Sequence, residues 1–574
     1  MKPEQTPRKL LLEKNSRQPD LQFNITKCDC QEFVRYGRLK WQFELYTKGE
    51  KSDTLYKFDD ESQNFVPIDE FPKDGFIEPS IELDDNPLDI LGEVAKDFWE
   101  YNDVNGILDL QLDSFQTIDV PSNALVLHPS NYNLTSHYQI FQDPNAPETH
   151  VYKDILRRYK NNELLSDSFL ENVDIEALLF YACLNGYIPK LGTQYTHSSL
   201  TADAIFIPQV ENNPLMRQVF LCCGATYLAW KDLERFQPLS DDLYRQCRQM
   251  IQEYITTNKN YADEDWLFAS LQLLCNRDKN SFSGTVDDST WHLTRAYQII
   301  RKKYYNKTLY INNPVLDHLG NTNLILQPHE RMFIESFIYH YSISILFVRE
   351  FHSLPTPFVI FKDLNVVLKC PVYNCEKVAE WMSNPLLGSS LDTLEILAKV
   401  SYIARMKMPL DPVWLERVAQ LRNMCIYYTP PMTLSEMDEL QWFNFKINSM
   451  VGILITKSCY LFASKMINYD FFDVNCNKVQ ECVGEIIQCY REIPETHKIW
   501  GILPWPMLIT GAFARDPRDQ ESILWYINLM AEKAHSYCGV KMASFLHEIW
   551  NANDTPHGGT NYLFDRDRLS QVDL

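Results

Sequence analysis

The sequence predicts an all-α protein, with a large bundle of helices over residues 146–552. From about residue 146 onward, apolar residues recur at spacings of three and four, which is the period of amphipathic helices. Clusters of Pro, Asn and Gly separate these segments, while the alternation expected of strands nearly vanishes. The chain has 574 residues, of which 45% are apolar, so it can bury one large core or several ordinary ones.

The region before the bundle has a different composition and predicts little regular structure. Between residues 59 and 122 it carries eighteen Asp and Glu residues against two Lys, interleaved with Phe, Ile, Leu and Trp. We interpret residues 42–145 as an acidic-hydrophobic linker or as an activation-like segment that recruits partners. The alternation of aromatic and polar residues around Lys48 and Gly49 predicts one short β-hairpin.

The stretch ENNPLMRQVFLCCGATYLAW, at residues 211–230, shows how the predicted helices are built. Asn213 can cap a helix with its side chain, and Pro214 suits the first helical position, where a missing N–H costs nothing. The residues that follow at helical spacing predict an inward stripe: Leu215, Val219, Cys222, Thr226 and Trp230.

The adjacent thiols of this stretch raise the question of metal or redox chemistry. Cys223 lies about 100° around the helix axis from Cys222. Two thiols that point in different directions do not chelate a tetrahedral metal by themselves, so packing is the favoured interpretation. The same holds for Cys482 and Cys489, which are one heptad apart, with Cys476 near the start of their helix.

Two later segments repeat the construction of a buried helix. One helix is predicted to begin at Asn384 and Pro385. Another, over residues 329–347, is apolar on nearly all sides and should be deeply buried. Inside it, Glu335 and His340 need hydrogen-bond partners, and we interpret them as members of a satisfied core network rather than of a catalytic one.

The end of the chain is predicted to be less ordered than the bundle. The last helical stretch, residues 521–550, ends near Trp550. It is followed by a polar tail, residues 553–574, that is rich in Gly and Asp. Because such a tail offers little apolar surface to bury, we expect it to be frayed.

Charge and hydropathy exclude several classes of protein. The formal net charge is −22 and the pI is near 5.1, so the bulk of the chain repels polyanions and is not an electrostatic nucleic-acid binder. The best uncharged apolar stretches, residues 336–348 and 499–514, are shorter than the ~20 residues that span a bilayer, so no membrane is expected. Fifteen cysteines without a dense framework, and no readable secretory signal, indicate reduced thiols in the cytosol or nucleus.

The sequence also shows no enzymatic motif, such as a dinucleotide or phosphate loop, a nucleophile elbow or His-Glu-x-x-His. With only 18 glycines, it has few of the close backbone approaches that phosphate loops need. The pairs His329-Glu330 and His547-Glu548 lie on predicted helices, where adjacent side chains diverge, and we place them on solvated faces. We therefore predict no catalytic, cofactor-binding or metal-binding residue, and we expect no enzyme.

Five stretches of the helical region follow one another in a characteristic order: Asn213 to Trp230, Trp291 to Ala296, Glu330 to Tyr341, Asn384 to Arg405 and Trp500 to Ala514. In this order they resemble the fungal-specific transcription factor domain that lies C-terminal to binuclear zinc clusters. The resemblance is to the branch that contains the regulators of lysine and arginine metabolism. It spans about residues 175–550, and the shared order makes it more specific than any single capped helix.

The resemblance implies an all-helical regulatory domain in a nuclear regulator, an activator in the expected case, of RNA polymerase II transcription. The implied partners are the transcription machinery or co-regulator proteins. A small-molecule effector is also implied for such a domain. Related regulators often pair, which makes a homodimer a further expectation.

The N-terminus departs from the family pattern. A binuclear cluster needs six thiolates around two Zn²⁺, and here only Cys28 and Cys30 precede Cys183. Residues 35–41 nevertheless resemble the segment that follows the last cluster cysteine in this branch, so we interpret residues 1–41 as a degenerate or truncated remnant. Either a cluster lies upstream in the gene, or the module has decayed. Zinc and DNA are therefore expected to bind only through an upstream module.

Two functions are open at this point. In the leading hypothesis, the chain regulates metabolic genes, and its helical body holds the acidic segment and any DNA-binding module in an active or silenced arrangement. In the alternative, it is a protein-interaction scaffold derived from the same family that does not bind DNA. No residue of an effector pocket can be named from the sequence.

Overall fold

The computed structural model describes residues 147–161, 174–193, 195–311, 325–350, 353–368, 370–375, 378–432, 436–552 and 557–572, together with five short strands nearer the N-terminus. The chain divides into two units, Met1–Glu93 and Val94–Leu574. In the described part of the second unit, regular structure is helical apart from one isolated bridge between Leu326 and Val372. The predicted all-α fold class is therefore confirmed.

The first unit contains short antiparallel strands. They are β1 (Leu21–Gln22), β2 (Tyr46–Thr47), β3 (Glu50–Lys51), β4 (Tyr56–Asp59) and β5 (Asn64–Pro67). The order β1-β2-β3 forms one sheet, and β4 pairs with β5. Thr47 lies opposite Glu50, which confirms the hairpin predicted around Lys48 and Gly49. The acidic stretch beyond β5 lies outside the described residues.

The described part of the second unit contains seventeen α-helices. The first eight are α1 (Pro147–Lys160), α2 (Ile175–Ala182), α3 (Ala202–Asn212), α4 (Pro214–Ala229), α5 (Leu233–Thr257), α6 (Asp265–Asn280), α7 (Val286–Ile311) and α8 (Pro328–Ser344). The other nine are α9 (Pro357–Leu368), α10 (Leu391–Ile403), α11 (Pro412–Ile426), α12 (Glu439–Ile467), α13 (Asn477–Arg491), α14 (Pro504–Phe513), α15 (Pro517–Ala534), α16 (Cys538–Asn551) and α17 (Arg566–Leu569). One hydrophobic cluster runs from Tyr152 to Val572 and forms their common core.

Helix α4 begins where the sequence predicts it. The Asn213 side chain accepts hydrogen bonds from the backbone N–H of Leu215 at 2.8 Å and of Met216 at 3.4 Å. More residues of α4 are buried than the predicted stripe contains, because α4 packs against α2, α5 and α6 at once. A Cβ at Gly224 would lie 1.9 Å from the Leu179 carbonyl oxygen, so only glycine allows α2 to approach this closely.

Helix α10 does not begin at Asn384 and Pro385, as predicted, but at Leu391. The Asn384 Nδ2 donates to the Gly388 carbonyl at 2.9 Å, which closes a turn instead of capping a helix. Gly388 has a φ of +50°, and this left-handed backbone interrupts right-handed helical geometry. The helix therefore starts only after the glycine.

The C-terminal region also differs from its prediction. The stretch predicted as one helix divides into α15 and α16 at His535, whose φ is 52°. The expectation of a frayed tail is wrong for residues 557–572, because Leu563, Leu569 and Val572 are buried in the core. These apolar residues are spaced along an otherwise polar tail, and a short 3₁₀ helix and α17 present them to the bundle.

One helix among the described residues, α12, is long and apolar enough to cross a membrane by length and composition. Its most apolar window is 72% buried inside the fold, where it packs against α10, α11 and α14. Core helices of globular proteins pass the same test, so the observation is weak support for a membrane span. The sequence prediction, which considered only shorter uncharged stretches, did not single out this helix.

Candidate functional site

Helix α6 carries polar side chains on two sides, although it lies inside the core. Arg277 and Asp278 join a cluster of charged residues on one side. Gln272 and Lys279 line a cavity on the other. The two environments differ in pairing, because Arg277 and Asp278 form ion pairs, whereas both polar atoms of the Gln272 side chain lack a hydrogen-bond partner.

The Arg277 cluster consists of Arg277, Asp278, Asp241, Tyr244 and His292. Arg277 Nη2 donates to Asp241 Oδ1 at 2.8 Å, and its Nη1 donates to Asp278 Oδ1 at 3.1 Å. The second oxygen of Asp278 accepts from Tyr244 Oη at 2.9 Å and lies 3.2 Å from His292 Nε2. The cluster thereby joins α5, α6 and α7 through charge-assisted hydrogen bonds.

Burial controls the protonation of this cluster. It raises the pKa of Asp278 to about 7, although Arg277 and Tyr244 act to lower it. It also lowers the pKa of His292 well below its usual value, and the positive charge of Arg248 adds to the effect. None of the five cluster residues lines the cavity. We therefore assign the cluster to the packing of the helices and not to chemistry.

The cavity has a volume of about 100 Å³ and lies where early and late parts of the helical chain meet. Its walls come from the turn that follows α2 and from α3, α6, α8, α14, α15 and α16. Representative lining residues are Tyr187, Phe206, Met332, Pro504, Met530 and Cys538. Most of the wall is apolar, and a few polar groups converge on it.

Two polar side chains of the wall have unpaired atoms. Gln272 is 2% exposed, yet neither its Oε1 nor its Nε2 has a hydrogen-bond partner. His340 is 6% exposed, and its Nδ1 has none either. Buried polar atoms almost always find partners in protein or in ordered water. Unpaired atoms that border a cavity therefore indicate that the contents of the cavity complete their hydrogen bonds.

His340 and Glu335 were expected to belong to a satisfied core network, and the structure shows a network that is satisfied only in part. His340 Nδ1 and Glu335 Oε1 both lack a hydrogen-bond partner. The other oxygen of Glu335, Oε2, accepts from the backbone N–H of Leu386 at 3.1 Å and of Leu387 at 3.4 Å. Its Oε1 lies 3.4 Å from Arg331 Nε. The sequence does not distinguish the two residues, since both lie on the buried helix α8.

Lys279 brings a positive charge to the cavity wall. Its Nζ donates to Ser344 Oγ at 2.7 Å, and the residue is 5% exposed. Burial lowers the pKa of His340 well below its usual value, and the charge of Lys279 lowers it further, so the ring is neutral at pH 7. None of the described residues that line the cavity is an Asp or a Glu. Lys190 and Lys279 are the charged residues among the described residues of the wall.

The pair His329-Glu330 does not lie on a solvated face as predicted. Glu330 is 9% exposed and accepts from Tyr304 Oη at 2.7 Å. Lys303 Nζ lies 3.2 Å from Glu330 Oε1 and 2.9 Å from Asp265 Oδ1, while His329 Nε2 lies 3.0 Å from Asp265 Oδ2. The prediction fails because Lys303 on α7 reaches between two carboxylates.

The pair His547-Glu548 behaves as predicted. Both residues are exposed on α16. Glu548 forms an ion pair with Arg568 of α17, and both side chains remain in contact with solvent. Such an exposed pair contributes little to stability and forms no enclosed site.

The adjacent cysteines of α4 are both buried but contact different neighbours. Cys222 Sγ lies 3.7 Å from the Ser240 carbonyl, whereas Cys223 Sγ lies 4.0 Å from the Leu273 carbonyl. Burial raises the pKa of Cys223 well above its usual value, which disfavours the thiolate that metal binding requires. The interpretation of these thiols as packing is consistent with this geometry.

The other cysteines singled out in the sequence are placed differently along α13. Burial raises the pKa of Cys482 to about 11, Cys489 is half-buried, and Cys476 is exposed. Among the described residues, no group of three or more His, Cys, Asp and Glu side chains is placed to hold a metal ion. Cys28 and Cys30 lie outside the part of the chain that the structure describes.

A comparison with known families gives the helical body its identity. The model of the fungal specific transcription factor domain matches residues 187–565, which is more than half of the chain. The chain belongs to this family. No curated protein and no solved structure shows a significant match.

The fungal specific transcription factor domain contains both the recognition features and the cavity. All five stretches that carry the resemblance lie within residues 187–565, and so do all residues that line the cavity. The family is one of transcription factors and not of enzymes, so membership places the chain in transcription regulation. The more specific resemblance, to regulators of lysine and arginine metabolism, stays a prediction.

Proposed function

We propose that this chain regulates RNA polymerase II transcription of metabolic genes, and that its helical body responds to a small-molecule effector. The observation that carries the proposal is a core cavity with unpaired buried atoms on Gln272 and His340, inside a fungal specific transcription factor domain. A domain that served only as a packed scaffold would gain stability by closing such a cavity. Its presence favours a domain that binds something there.

The cavity is suited to controlling the packing of the domain. Its walls combine α6 and α8 with α14, α15 and α16, so a ligand that fills it contacts helices that are far apart in sequence. A ligand shifts a conformational equilibrium only by its difference in affinity for the two states. An effector that prefers the closed arrangement of these helices would therefore stabilise that arrangement.

The remaining parts of the proposal concern the output. Residues 59–122 supply an acidic-hydrophobic segment of the kind that recruits the transcription machinery or co-regulators. With a net charge of −22, the chain would reach DNA through a basic module encoded upstream or supplied by a partner, in the nucleus. Pairing into a homodimer would place two such modules on neighbouring half-sites.

A tethering experiment tests the proposal. The full chain is fused to an unrelated DNA-binding domain upstream of a reporter gene in a fungal host. We expect transcription above that of the DNA-binding domain alone, and we expect it to fall when the eighteen Asp and Glu residues of 59–122 are replaced by Asn and Gln. The matched control replaces the same number of exposed acidic residues on the helical body, such as Glu436 and Glu481.

Chromatin immunoprecipitation of the tagged native chain separates the regulator from the scaffold. We expect enrichment at a limited set of promoters. If the tethered chain leaves the reporter unchanged and the native chain is not enriched at promoters, the interaction scaffold is the better description.

A further inference from the structure

We propose that the cavity binds a small aliphatic molecule that carries a primary carboxamide group. The inference rests on the proposed function, because it takes the cavity as the effector site, and it adds the chemical class of the effector. The class follows from the hydrogen-bonding atoms that the wall leaves without partners, from the apolar lining and from the volume of the cavity.

Gln272 sets the polar part of the ligand. It lines the cavity and is 2% exposed, and neither its Oε1 nor its Nε2 has a hydrogen-bond partner. The oxygen accepts and the nitrogen donates, and exchanging the two atoms leaves the same pair of groups on the same edge. A ligand that completes this edge must therefore offer an acceptor and a donor side by side.

Other polar side chains of the wall already bond to the protein. Three of them donate to backbone carbonyl groups: Thr193 Oγ1 to Leu386 at 3.0 Å, Tyr187 Oη to Leu273 at 3.0 Å and Tyr339 Oη to Gly501 at 3.0 Å. These groups do not need a ligand. The Gln272 amide differs from them in having no such bond.

The two lysines of the wall do not select the ligand either. Lys279 Nζ donates to Ser344 Oγ at 2.7 Å, and Lys190 Nζ lies 4.7 Å from the centre of the Tyr227 ring. Both charges thus have partners inside the protein. The ligand is selected by its hydrogen-bonding groups and not by a charge of its own.

Several common polar groups cannot complete the Gln272 edge. A carboxylate or a ketone only accepts, so it would leave Oε1 unpaired, while an ammonium group only donates and would leave Nε2 unpaired. A hydroxyl group does both, but its single oxygen cannot bond to Oε1 and Nε2 in good geometry at the same time. A primary carboxamide presents a carbonyl oxygen and an N–H on one edge, at the spacing of the Gln272 amide itself. It would therefore form two hydrogen bonds and leave neither atom unpaired, which avoids the cost of an unpaired buried group.

His340 adds a reason for the primary amide over a substituted one. Its Nδ1 has no partner, and the ring is kept neutral by burial. In the tautomer with a proton on Nε2, Nδ1 accepts a hydrogen bond. A primary carboxamide keeps a second N–H that is not used by Gln272, and this N–H is available to His340.

The size of the cavity limits the rest of the molecule. Its volume is about 100 Å³. Since one water needs roughly 10–15 Å³ of such volume, a ligand of roughly seven to ten non-hydrogen atoms fits. Phe206, Met332, Ile343 and Met530 give this space an apolar lining, which suits a short aliphatic chain. Nucleotides and aromatic cofactors are too large.

Ordered water is the alternative occupant. Two waters would complete the hydrogen bonds of Gln272, but they would leave the apolar part of the wall without close contacts. A carboxamide with an aliphatic chain makes the same hydrogen bonds and also fills the apolar part. The carboxamide is therefore favoured, and a cavity that holds only water is one outcome of the test.

The test measures binding to the purified full chain at pH 7 by calorimetry and by thermal unfolding. The probes are 3-methylbutanamide and pentanamide. The controls keep the branched chain and change the polar group: 4-methylpentan-2-one and 3-methylbutanoate only accept, 3-methylbutan-1-amine as its ammonium ion only donates, and 3-methylbutan-1-ol has a single oxygen. We expect at least one amide to raise the unfolding temperature by about 2 °C or more and to bind more than about fivefold more tightly than every control.

Variants connect the preference to the cavity. In Gln272→Met, 3-methylbutanamide should lose its advantage over 4-methylpentan-2-one, because the two hydrogen bonds that distinguish them are gone. The matched control is Gln237→Met, which removes a buried glutamine whose Nε2 donates to Ser283 Oγ at 2.8 Å outside the cavity and should keep the preference. Gln272→Leu gives the same readout if Gln272→Met does not fold.

The outcomes are distinct. If neither amide binds, the cavity holds only water and the inference is wrong. It is also wrong if a control binds as tightly as the amides, or if both Gln272 variants keep the preference for the amide over the ketone. Because no transcription is measured, amide binding by a chain that is silent in the reporter assay would overturn the proposed function alone. An active reporter without amide binding would overturn this inference alone.

Discussion

The two polar sides of helix α6 show two ways in which a helical core holds charged groups. On one side, Arg277 and Asp278 are fully buried and are paired with residues of α5 and α7. On the other side, Gln272 is as deeply buried, but both polar atoms of its amide lack a partner. Both sides belong to one helix, so the difference in hydrogen-bond pairing comes from the residues that surround each side.

The comparison separates structure from function in a chain without enzymatic motifs. A polar cluster that pairs its own groups stabilises the packing that contains it, and removing one member leaves a buried charge. A polar group that faces a cavity without a partner costs stability until something binds. The unpaired side is therefore where we expect a ligand, and the paired side is where we expect sensitivity to mutation.

The largest expected effect comes from breaking the paired side. Replacing Arg277 by Met should lower the free energy of unfolding by about 3–5 kcal/mol, because Asp278 loses its counter-charge inside the core. Urea unfolding followed by circular dichroism measures the change. Arg245→Met is the matched control, since this exposed arginine pairs with Asp242 at the surface. The substitution should lower the free energy of unfolding by less than about 0.5 kcal/mol. A loss below 1 kcal/mol for Arg277→Met would show that the cluster is not essential to packing.

The second prediction uses pH to compare the two sides. The pKa values of His292 and His340 are both lowered by burial. Below pH 6.5 the unfolded chain binds these protons and the folded chain does not, so each histidine lowers the free energy of unfolding by about 2 kcal/mol between pH 7 and pH 5. On the paired side this loss is offset, because the pKa of Asp278 is raised to about 7 and the folded state gains that proton over the same range.

The cavity side has no such compensation among its described lining residues. His340→Phe and His292→Phe should therefore each remove about 2 kcal/mol of the acid-induced loss, and His292→Phe also leaves the opposing proton uptake of Asp278 without its counterweight. Urea midpoints at pH 7, 6 and 5 for the three proteins measure the difference. Equal slopes in all three proteins would mean that His340 is not kept neutral by burial.

The third prediction concerns the start of α6, which belongs to neither side. Burial alone would raise the pKa of Asp265, but hydrogen bonds from His329 and Lys303 outweigh it and hold the pKa at about 2. This stabilisation is present above the unfolded pKa of about 4 and is lost as the pH falls through 2. Because the side chain is 35% exposed, screening limits the cost of Asp265→Asn to about 1 kcal/mol at pH 7.

Acid titration of unfolding checks this value. The difference between wild type and Asp265→Asn should disappear as the pH approaches 2. Asp242→Asn, on the exposed surface of α5, serves as the control and should cost less than about 0.5 kcal/mol. If the two proteins still differ in free energy of unfolding at the lowest pH, the cost of Asp265→Asn comes from packing and not from charge.

The smallest expected effect is on the unpaired side. Gln272→Met should keep the free energy of unfolding within about 0.5 kcal/mol or raise it, because the amide has no hydrogen bond to lose. Gln237→Met is the matched control, since Gln237 Nε2 donates to Ser281 Oγ at 3.0 Å and to Ser283 Oγ at 2.8 Å. Losing these hydrogen bonds should lower the free energy of unfolding by about 1–2 kcal/mol. Equal losses, measured by urea unfolding, would show that Gln272 is paired after all.

Local sequence predicted the elements whose causes are local. Asn213 and Pro214 start α4 because a cap and a first-turn proline act within four residues. The same dipeptide at Asn384 and Pro385 fails, because Gly388 adopts a left-handed conformation beside the side chain of Asn448 on α12. That contact is tertiary, and no pattern near residue 384 reveals it.

The cavity could not be predicted, because residues from Tyr187 to Cys538 build it together. One signal was present, since Gln272 interrupts the apolar run LFASLQLLC at residues 267–275. In sequence, however, a glutamine on a buried helix face looks the same whether it is paired or not. Glu335 makes the same point, because only the folded neighbours show that its Oε2 accepts hydrogen bonds from the backbone while its Oε1 has none.

The distribution of thiols gives the domain a built-in reporter of its own opening. Of the thirteen cysteines that the structure describes, eleven are buried, Cys489 is intermediate and Cys476 alone is exposed. Among these thirteen, an alkylating reagent added to the native protein should therefore modify Cys476 first. The buried thiols would become labelled only when the helices around them separate, so mass spectrometry of the labelled peptides would show which part of the bundle opens first.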